Sequence, residues 1–409
     1  MDEKTGTELG APPRDAFEAA FGESLRSVLD VESWRSGEDP GDMYERITAE
    51  VETAVVQEQR LRDPIRGTVF PQIRERQLVP GAGVYRATIE ELKWVHQGLL
   101  FTGAVEACDG TRYTHDTLPL TVAQIGVSLV AYNGQLGTWV QRLFRRDLRE
   151  SPGDPVEEAL ALLERRDERG GLHQPDGHDG LSRLAGRAIM TYAERAILLK
   201  RSSAPWRMGH GNPAAYELLT GAAGSLDLMI EATRVLEDLV CRHKKFVFVP
   251  SEPAGRLLLT IGDALGPLEF AIVHPLSDQI SAVLESADYD LPTASDTTVD
   301  GERLSPRDWI ARFRDVVASQ VAVGVYRASE VAPAHLFYAH VDHAHEAALI
   351  ALADSVLQPH RGFPMLIDVA HHVCAATFGP DSLAGPLQLA YTRAGAPLRY
   401  LSERMSRGR

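Results

Sequence analysis

Cysteine is scarce in this chain. The three present, Cys108, Cys241 and Cys374, stand far apart and form no CxxC pair. That argues against a disulfide framework or a cysteine zinc site, and a reducing, cytoplasmic setting is expected. Long apolar runs are also missing. No stretch approaches the roughly 20 residues that span a bilayer, so no membrane role is expected. The opening MDEKTGTELGAPPRD is acidic and polar, unlike a secretory signal. Positive charge is in deficit: 42 Lys and Arg against 57 Asp and Glu leave a net charge of −15. Such a chain is a poor free-standing nucleic-acid binder, because phosphate contacts need Lys and Arg. The basic clusters RLFRRDLR (142–149), RHKK (242–245) and RYLSERMSRGR (399–409) read as solvated surface.

The 409 residues, 44% hydrophobic, can bury a substantial core in one large or two ordinary domains. Residues 1–15 read as a disordered terminus, 16–100 as a helical N-terminal region, 101–380 as the main domain and 381–409 as a C-terminal tail. An amphipathic helix is expected at 42–61. Strands are expected at 104–108, 121–132 and 135–144. Asn133-Gly134 marks a tight turn between the last two, which predicts a β-meander. Helices are expected at 155–167, near 181–201 and at 225–243, and a buried strand at 244–253. Residues 168–180 and 284–304 read as loops. Strands at 321–328 and 336–341 precede a helix at 345–357 and a Pro-started helix within 361–378. This order predicts a mixed α/β fold around a central sheet.

Three residues carry possible chemistry. In AVEACDGT an apolar run meets Asp109, and a buried carboxylate must be paired or used. Strand-end acids beside a meander suit two-metal phosphodiester chemistry, in which carboxylates hold Mg²⁺ or Mn²⁺. The bland alternative is a turn, since Asp-Gly is a common turn dipeptide. Glu194, flanked at helical spacing by Met190, Ile197 and Leu198, is expected to point inward. Its alternative is a boundary residue paired with Arg195 or Arg187. His371, next to His372 on an apolar helix, is either a satisfied core histidine or, beside acids, a ligand or proton-transfer group. The run AHVDHAHEAA (339–348) has metal-like composition but lacks the HExxH spacing.

The ordered set ACDGTR, AERAILL, GHGNPAAYELL, KKFVFVPSEPAGRLLL and RGFPMLIDVAHHVCAAT resembles the NurA nuclease family. The resemblance implies an RNase H-like mixed central sheet flanked by helices, with an N-terminal helical extension. It implies a metal-dependent DNA exonuclease and endonuclease using Mn²⁺ or Mg²⁺, a homodimer, and a HerA-type hexameric DNA-translocating ATPase as partner, in end processing or antiphage defence. Asp109 matches the Asp of the family's DGS motif, with Thr111 in the Ser place. Glu194 matches the helical Glu, and His371 the closing His. These three are the implied catalytic residues. Where the family has a second DG, this chain has His210-Gly211, and the next acid is Glu217. The implied metal set is therefore Asp109 and Glu194 with His210 or Glu217. The alternative is a degenerate, non-catalytic subunit that binds the ATPase and guides DNA. A third reading is an α/β hydrolase or scaffold unrelated to DNA. On the nuclease reading, removing Asp109 should relieve repulsion with Glu194.

Overall fold

The computed structural model describes residues 14–34, 40–117, 120–145, 156, 183–220, 226–252, 256–287, 289, 298–299, 302–303 and 305–399. The helix expected at 155–167 (all but Val156) and the loop at 168–180 lie outside these residues.

Two compact units divide the chain, residues 1–62 and 63–409. Helices α1 (Arg14–Phe21) and α2 (Leu25–Leu29) fall in the first, as does nearly all of α3 (Pro40–Pro64). The anticipated 42–61 helix is α3, and it buries none of its side chains. The division falls near residue 62, not near 100. Residues 63–100 carry α4 (Phe70–Arg76), strand β1 (Gly83–Arg86) and α5 (Ile89–Val95), and β1 belongs to the main sheet.

The second unit holds the remaining elements. Its strands are β2 (Val105–Asp116), β3 (Thr121–Val130), β4 (Leu136–Arg145), β5 (Trp206–His210), β6 (Phe246–Val249), β7 (Glu269–Pro275), a small hairpin of β8 (Thr298–Val299) and β9 (Glu302–Arg303), β10 (Val321–Arg327) and β11 (His335–His340). Its further helices are α6 (Arg183–Arg201), α7 (Tyr216–Leu219), α8 (Leu226–Glu237), α9 (Arg256–Asp263), α10 (Ser277–Ser286), α11 (Pro306–Val316), α12 (Ala344–Ser355), α13 (Met365–Phe378) and α14 (Asp381–Arg393). Nine strands form one mixed sheet in the order β1-β7-β10-β11-β6-β5-β2-β3-β4. In the half β4-β3-β2-β5-β6, β3 is antiparallel to both neighbours, while β2, β5 and β6 run parallel. This is the expected RNase H-like core. Among the described residues no helix is long and apolar enough to cross a membrane.

The meander forms as the sequence predicts. Gly134 takes φ +88, and Asn133 Oδ1 accepts from the Gln135 amide at 3.0 Å. Two boundaries differ. β2 does not stop before Asp109 but runs seven residues past it to Asp116, because β3 pairs with it throughout. The 381–409 segment is not all tail, since Leu383 and Leu387 of α14 pack against Val122.

β3 is buried from end to end, covered by α6 and α13. Gln124 and Ser128 on it bond to backbone carbonyls of the second of these helices. Gln124 Nε2 donates to the Phe378 carbonyl at 2.8 Å, and Ser128 Oγ donates to the Ala370 carbonyl at 2.6 Å. Gly126 makes room for the helix: a Cβ there would sit 2.2 Å from the Phe378 ring. Together these contacts fix α13, and with it His371, over the sheet.

Candidate active site

The pairing of β2 with β5 ends at Cys108↔Gly209. Beyond that point the two strands part, and Asp109 and His210 face each other across the gap. β6 ends alongside at Val249, paired with His210. The gap thus opens beside the middle of β2, at the carboxyl ends of its parallel neighbours β5 and β6, and the carboxyl ends of strands are where α/β sheets place their ligand crevices.

Asp109 is 2% exposed and fully engaged. His210 Nδ1 donates to Oδ1 at 3.0 Å and His371 Nδ1 donates to Oδ2 at 2.8 Å. The far nitrogen of His210, Nε2, lies 3.0 Å from the hydroxyl of Ser251, which is exposed just beyond β6. Burial pushes the Asp109 carboxyl up, but the two imidazole bonds outweigh it and its pKa is lowered. Burial works against charge on His210 as well, yet the bond to Asp109 and the charges of Asp109 and Glu194 raise it. For His371 the bond to Asp109 is the main cause of a raised value.

Glu194 reaches the gap from the other side. Successive strand residues face opposite ways, so Asp109 faces α13 while Gly110 faces α6. A Cβ on Gly110 would lie 2.6 Å from Glu194 Oε1, so only glycine leaves room for this carboxylate. Glu194 is bonded to its neighbour Arg195, the pairing the bland alternative anticipates. Arg195 is itself buried and donates to the carbonyls of Thr191, His210 and Asn212 at 3.1, 3.1 and 2.7 Å. It therefore ties α6 to the loop after β5. Desolvation dominates at Glu194, and despite Arg195 its pKa is raised to about 7, with the Asp109 charge contributing.

Asp109, His210 and His371 are brought into direct contact, and Glu194 lies within electrostatic reach. Glu217 is not brought to them. It pairs with Arg187 at 3.0 Å and accepts from Thr191 Oγ1 at 3.4 Å. The AHVDHAHEAA run is also taken up elsewhere. Asp342 pairs with Lys244, and the His343 and His345 rings pack on Trp206 and on Tyr85 and Phe270. Of the basic clusters, Arg242 and Lys244 are paired with acids.

Two carboxylates and two imidazoles at one crevice fit a divalent ion such as Mn²⁺ in kind. Their lone pairs, however, are turned on each other. Both oxygens of Asp109 and both nitrogens of His210 have partners. Among the described residues no three such side chains are arranged around a common point. The expectation that losing Asp109 only relieves repulsion is also revised, because two imidazoles would lose their acceptor.

Sequence reasoning missed Ser251, Arg195 as the clamp, and the reason for Gly110. The parallel register of β5 and β6 would have placed residue 251 beside His210, but that pairing is not visible in either segment alone.

No family matches the chain by sequence, and no curated protein is similar to it at that level. Solved structures of NurA nucleases are similar in fold. The NurA nuclease from Sulfolobus solfataricus is 9% identical with a TM-score of 0.40, covering 85% of this chain and 98% of that one. NurA bound to dAMP and manganese is 8% identical with a TM-score of 0.39, covering 86% and 97%. NurA with manganese is 9% identical with a TM-score of 0.36, covering 70% and 92%.

Proposed function

We propose that this chain is a metal-dependent DNA nuclease that hydrolyses phosphodiesters in the gap between β2 and β5. The observation that carries the reading is the meeting of Asp109, His210 and His371 where β5 and β6 end beside β2, with Glu194 entering over Gly110. Asp109 and Glu194 would hold a divalent cation, Mn²⁺ or Mg²⁺, whose chemistry is neutralisation of phosphodiester charge and activation of water. His210 completes this set in preference to Glu217, which Arg187 and Thr191 occupy. His371 is exposed and held by Asp109 through Nδ1, so its other nitrogen, which has no hydrogen-bond partner among the described residues, is placed to give a proton to the leaving oxygen. The motif resemblance extends the proposal to a homodimer working with a HerA-type hexameric ATPase in end processing or antiphage defence. That partnership would also supply the positive surface that a chain of net charge −15 lacks.

A second reading is a degenerate subunit that binds the ATPase and guides DNA. The mutual engagement of Asp109 and His210 favours it. The test is cleavage of linear DNA by the purified chain with Mn²⁺. Activity that is lost in Asp109→Asn and in EDTA supports the nuclease. No cleavage, with stimulation of the ATPase retained in both proteins, supports the degenerate subunit.

A further inference from the structure

We propose that α3 pairs with α3 of a second copy of this chain in an antiparallel coiled coil. The helix is 25 residues long and buries no side chain. A helix draws most of its stability from packing an apolar face, so one of this length calls for a cover. Tyr44, Ile47, Val51, Ala54, Glu58 and Leu61 follow one another at steps of three and four, and all are exposed. That is the pattern of a coiled-coil seam, whose a and d positions repeat in this way. From Tyr44 to Leu61 the seam runs roughly 26 Å at 1.5 Å per residue. Arg46, which donates to Glu23 Oε1 at 3.1 Å, lies off it.

The direction follows from Glu58. In a parallel pair each seam residue faces its own counterpart. Two Glu58 carboxylates would then meet inside the contact, against both repulsion and desolvation. In an antiparallel pair a positions face d positions. Tyr44 then meets Leu61, Val51 meets Ala54 and Glu58 meets Ile47, with the two carboxylates near opposite ends. Beside the seam, Val55 meets Val55 of the second copy. On the other flank Glu50 meets Glu50 at the solvent edge, where salt screens the pair. The charge along the helix agrees with reversal. Asp42 and Glu45 stand near its start, and Arg60 and Arg62 near its end. Reversal sets the basic end of one helix alongside the acidic end of the other and aligns the two macrodipoles favourably. Every layer of the seam finds its partner in the same seam, so a second copy completes it. This gives the proposed homodimer its contact and direction. It rests on that part of the functional reading and not on DNA cleavage.

The test uses the full-length Tyr44→Cys, Leu61→Cys double variant, mildly oxidised and mapped by mass spectrometry of the linked peptides. The two positions lie roughly 26 Å apart along one helix, so they cannot join within a chain. The antiparallel pair gives a covalent dimer linked between positions 44 and 61. Links of 44 to 44 and 61 to 61 show a parallel pair and overturn the proposal. So does a variant that is dimeric by light scattering yet unlinked through α3, an outcome that keeps the homodimer and moves its contact. Wild type that is monomeric at every concentration removes both. Glu58→Leu gives an independent reading with the rest of the seam intact. It places an apolar side chain opposite Ile47 and should tighten self-association about tenfold or more, read by analytical ultracentrifugation. An unchanged dissociation constant puts Glu58 outside the contact and overturns the proposal. The nuclease reading is tested separately, by cleavage of linear DNA, and stands or falls without these results.

Discussion

Each oxygen of Asp109 accepts an imidazole Nδ1–H, and this determines what its loss does. Hydrogen bonds involving charged groups contribute about 1.5–3 kcal/mol each, so Asp109→Ala should destabilise the protein by roughly that amount or more without added metal. The sign with pH follows from the two kinds of shift. The lowered Asp109 value makes its contribution present above about pH 3.8 and lost as pH falls through the folded value. The raised histidine values make theirs full below about pH 6.5 and lost as pH rises through the folded values. The deficit of Asp109→Ala should therefore be greatest near pH 5–6 and smaller at pH 9, read as the difference in Tm. A constant deficit would show that the imidazoles carry no charge there. Arg195 poses the reverse case. Arg195→Met leaves Glu194 buried without its partner, a change that costs about 3–5 kcal/mol when one member of a buried pair is removed. Because the Glu194 pKa is already raised to about 7, the carboxyl can escape by protonation at lower pH. The loss should be larger at pH 8 than at pH 5.5. Urea melts at the two values check this. Asp109, Glu194 and His371 were legible in the sequence as polar residues in apolar segments. Ser251 was not, because PSEP carries ordinary turn composition and its neighbour His210 is 41 residues away.

At the scale of elements, the strands and most helices follow from pattern, and the exceptions have local causes. Helix α10 (SDQISAVLES) is rich in serine and follows a proline, so its three- and four-residue spacing of Ile280, Val283 and Leu284 is easy to pass over. Helix α14 contains Gly385-Pro386, a breaker pair that made it read as tail. The end of β2 was misplaced because an acid inside a paired strand looks like its end. Position also depends on contacts no local pattern reveals. Pro364, at the N-cap of α13, supplies no side-chain cap. The cap comes from α12, where Asp354 Oδ2 accepts from the Leu366 amide at 2.8 Å and Oδ1 meets the Tyr132 hydroxyl at 2.5 Å. Asp354 thus anchors the start of the helix that carries His371. Burial raises its pKa to about 7 from an ordinary 3.8. The folded state then holds more protons than the unfolded between these values, so this group's contribution is full below about pH 3.8 and lost as pH rises through about 7. Asp354→Asn can keep both hydrogen bonds without the charge. It should remove up to about 1.4 kcal/mol per pH unit of the decline in stability across pH 4–7. Urea melts of both proteins at pH 5 and 7 give the comparison, and parallel slopes would refute it.

At the scale of the whole molecule, the division at residue 62 makes a prediction about folding and one about assembly. The nine-stranded sheet, the core around it and the Asp109 crevice all belong to residues 63–409. None of the side chains of α3 is buried, and Met43, Ile47, Val51 and Val55 stand exposed at four-residue spacing along it. Helical stability in proteins comes mostly from packing an apolar face rather than from propensity, so α3 has apolar surface to offer a partner. A chain beginning at Asp63 should therefore melt cooperatively, within a few degrees of the full-length protein; a shift of about 2–4 °C corresponds to 1 kcal/mol at 150–250 residues. The proposed dimer gives the second readout. With α3 as the contact, light scattering should find the full chain as a dimer and the truncated chain as a monomer. A Val51→Glu, Val55→Glu full-length variant should reproduce the monomer, because burying two carboxylates in an apolar contact disfavours it. A truncated chain that remains dimeric would move the contact onto residues 63–409. A truncated chain that no longer melts cooperatively would show that the N-terminal helices stabilise the sheet, and would refute the independence of the two units.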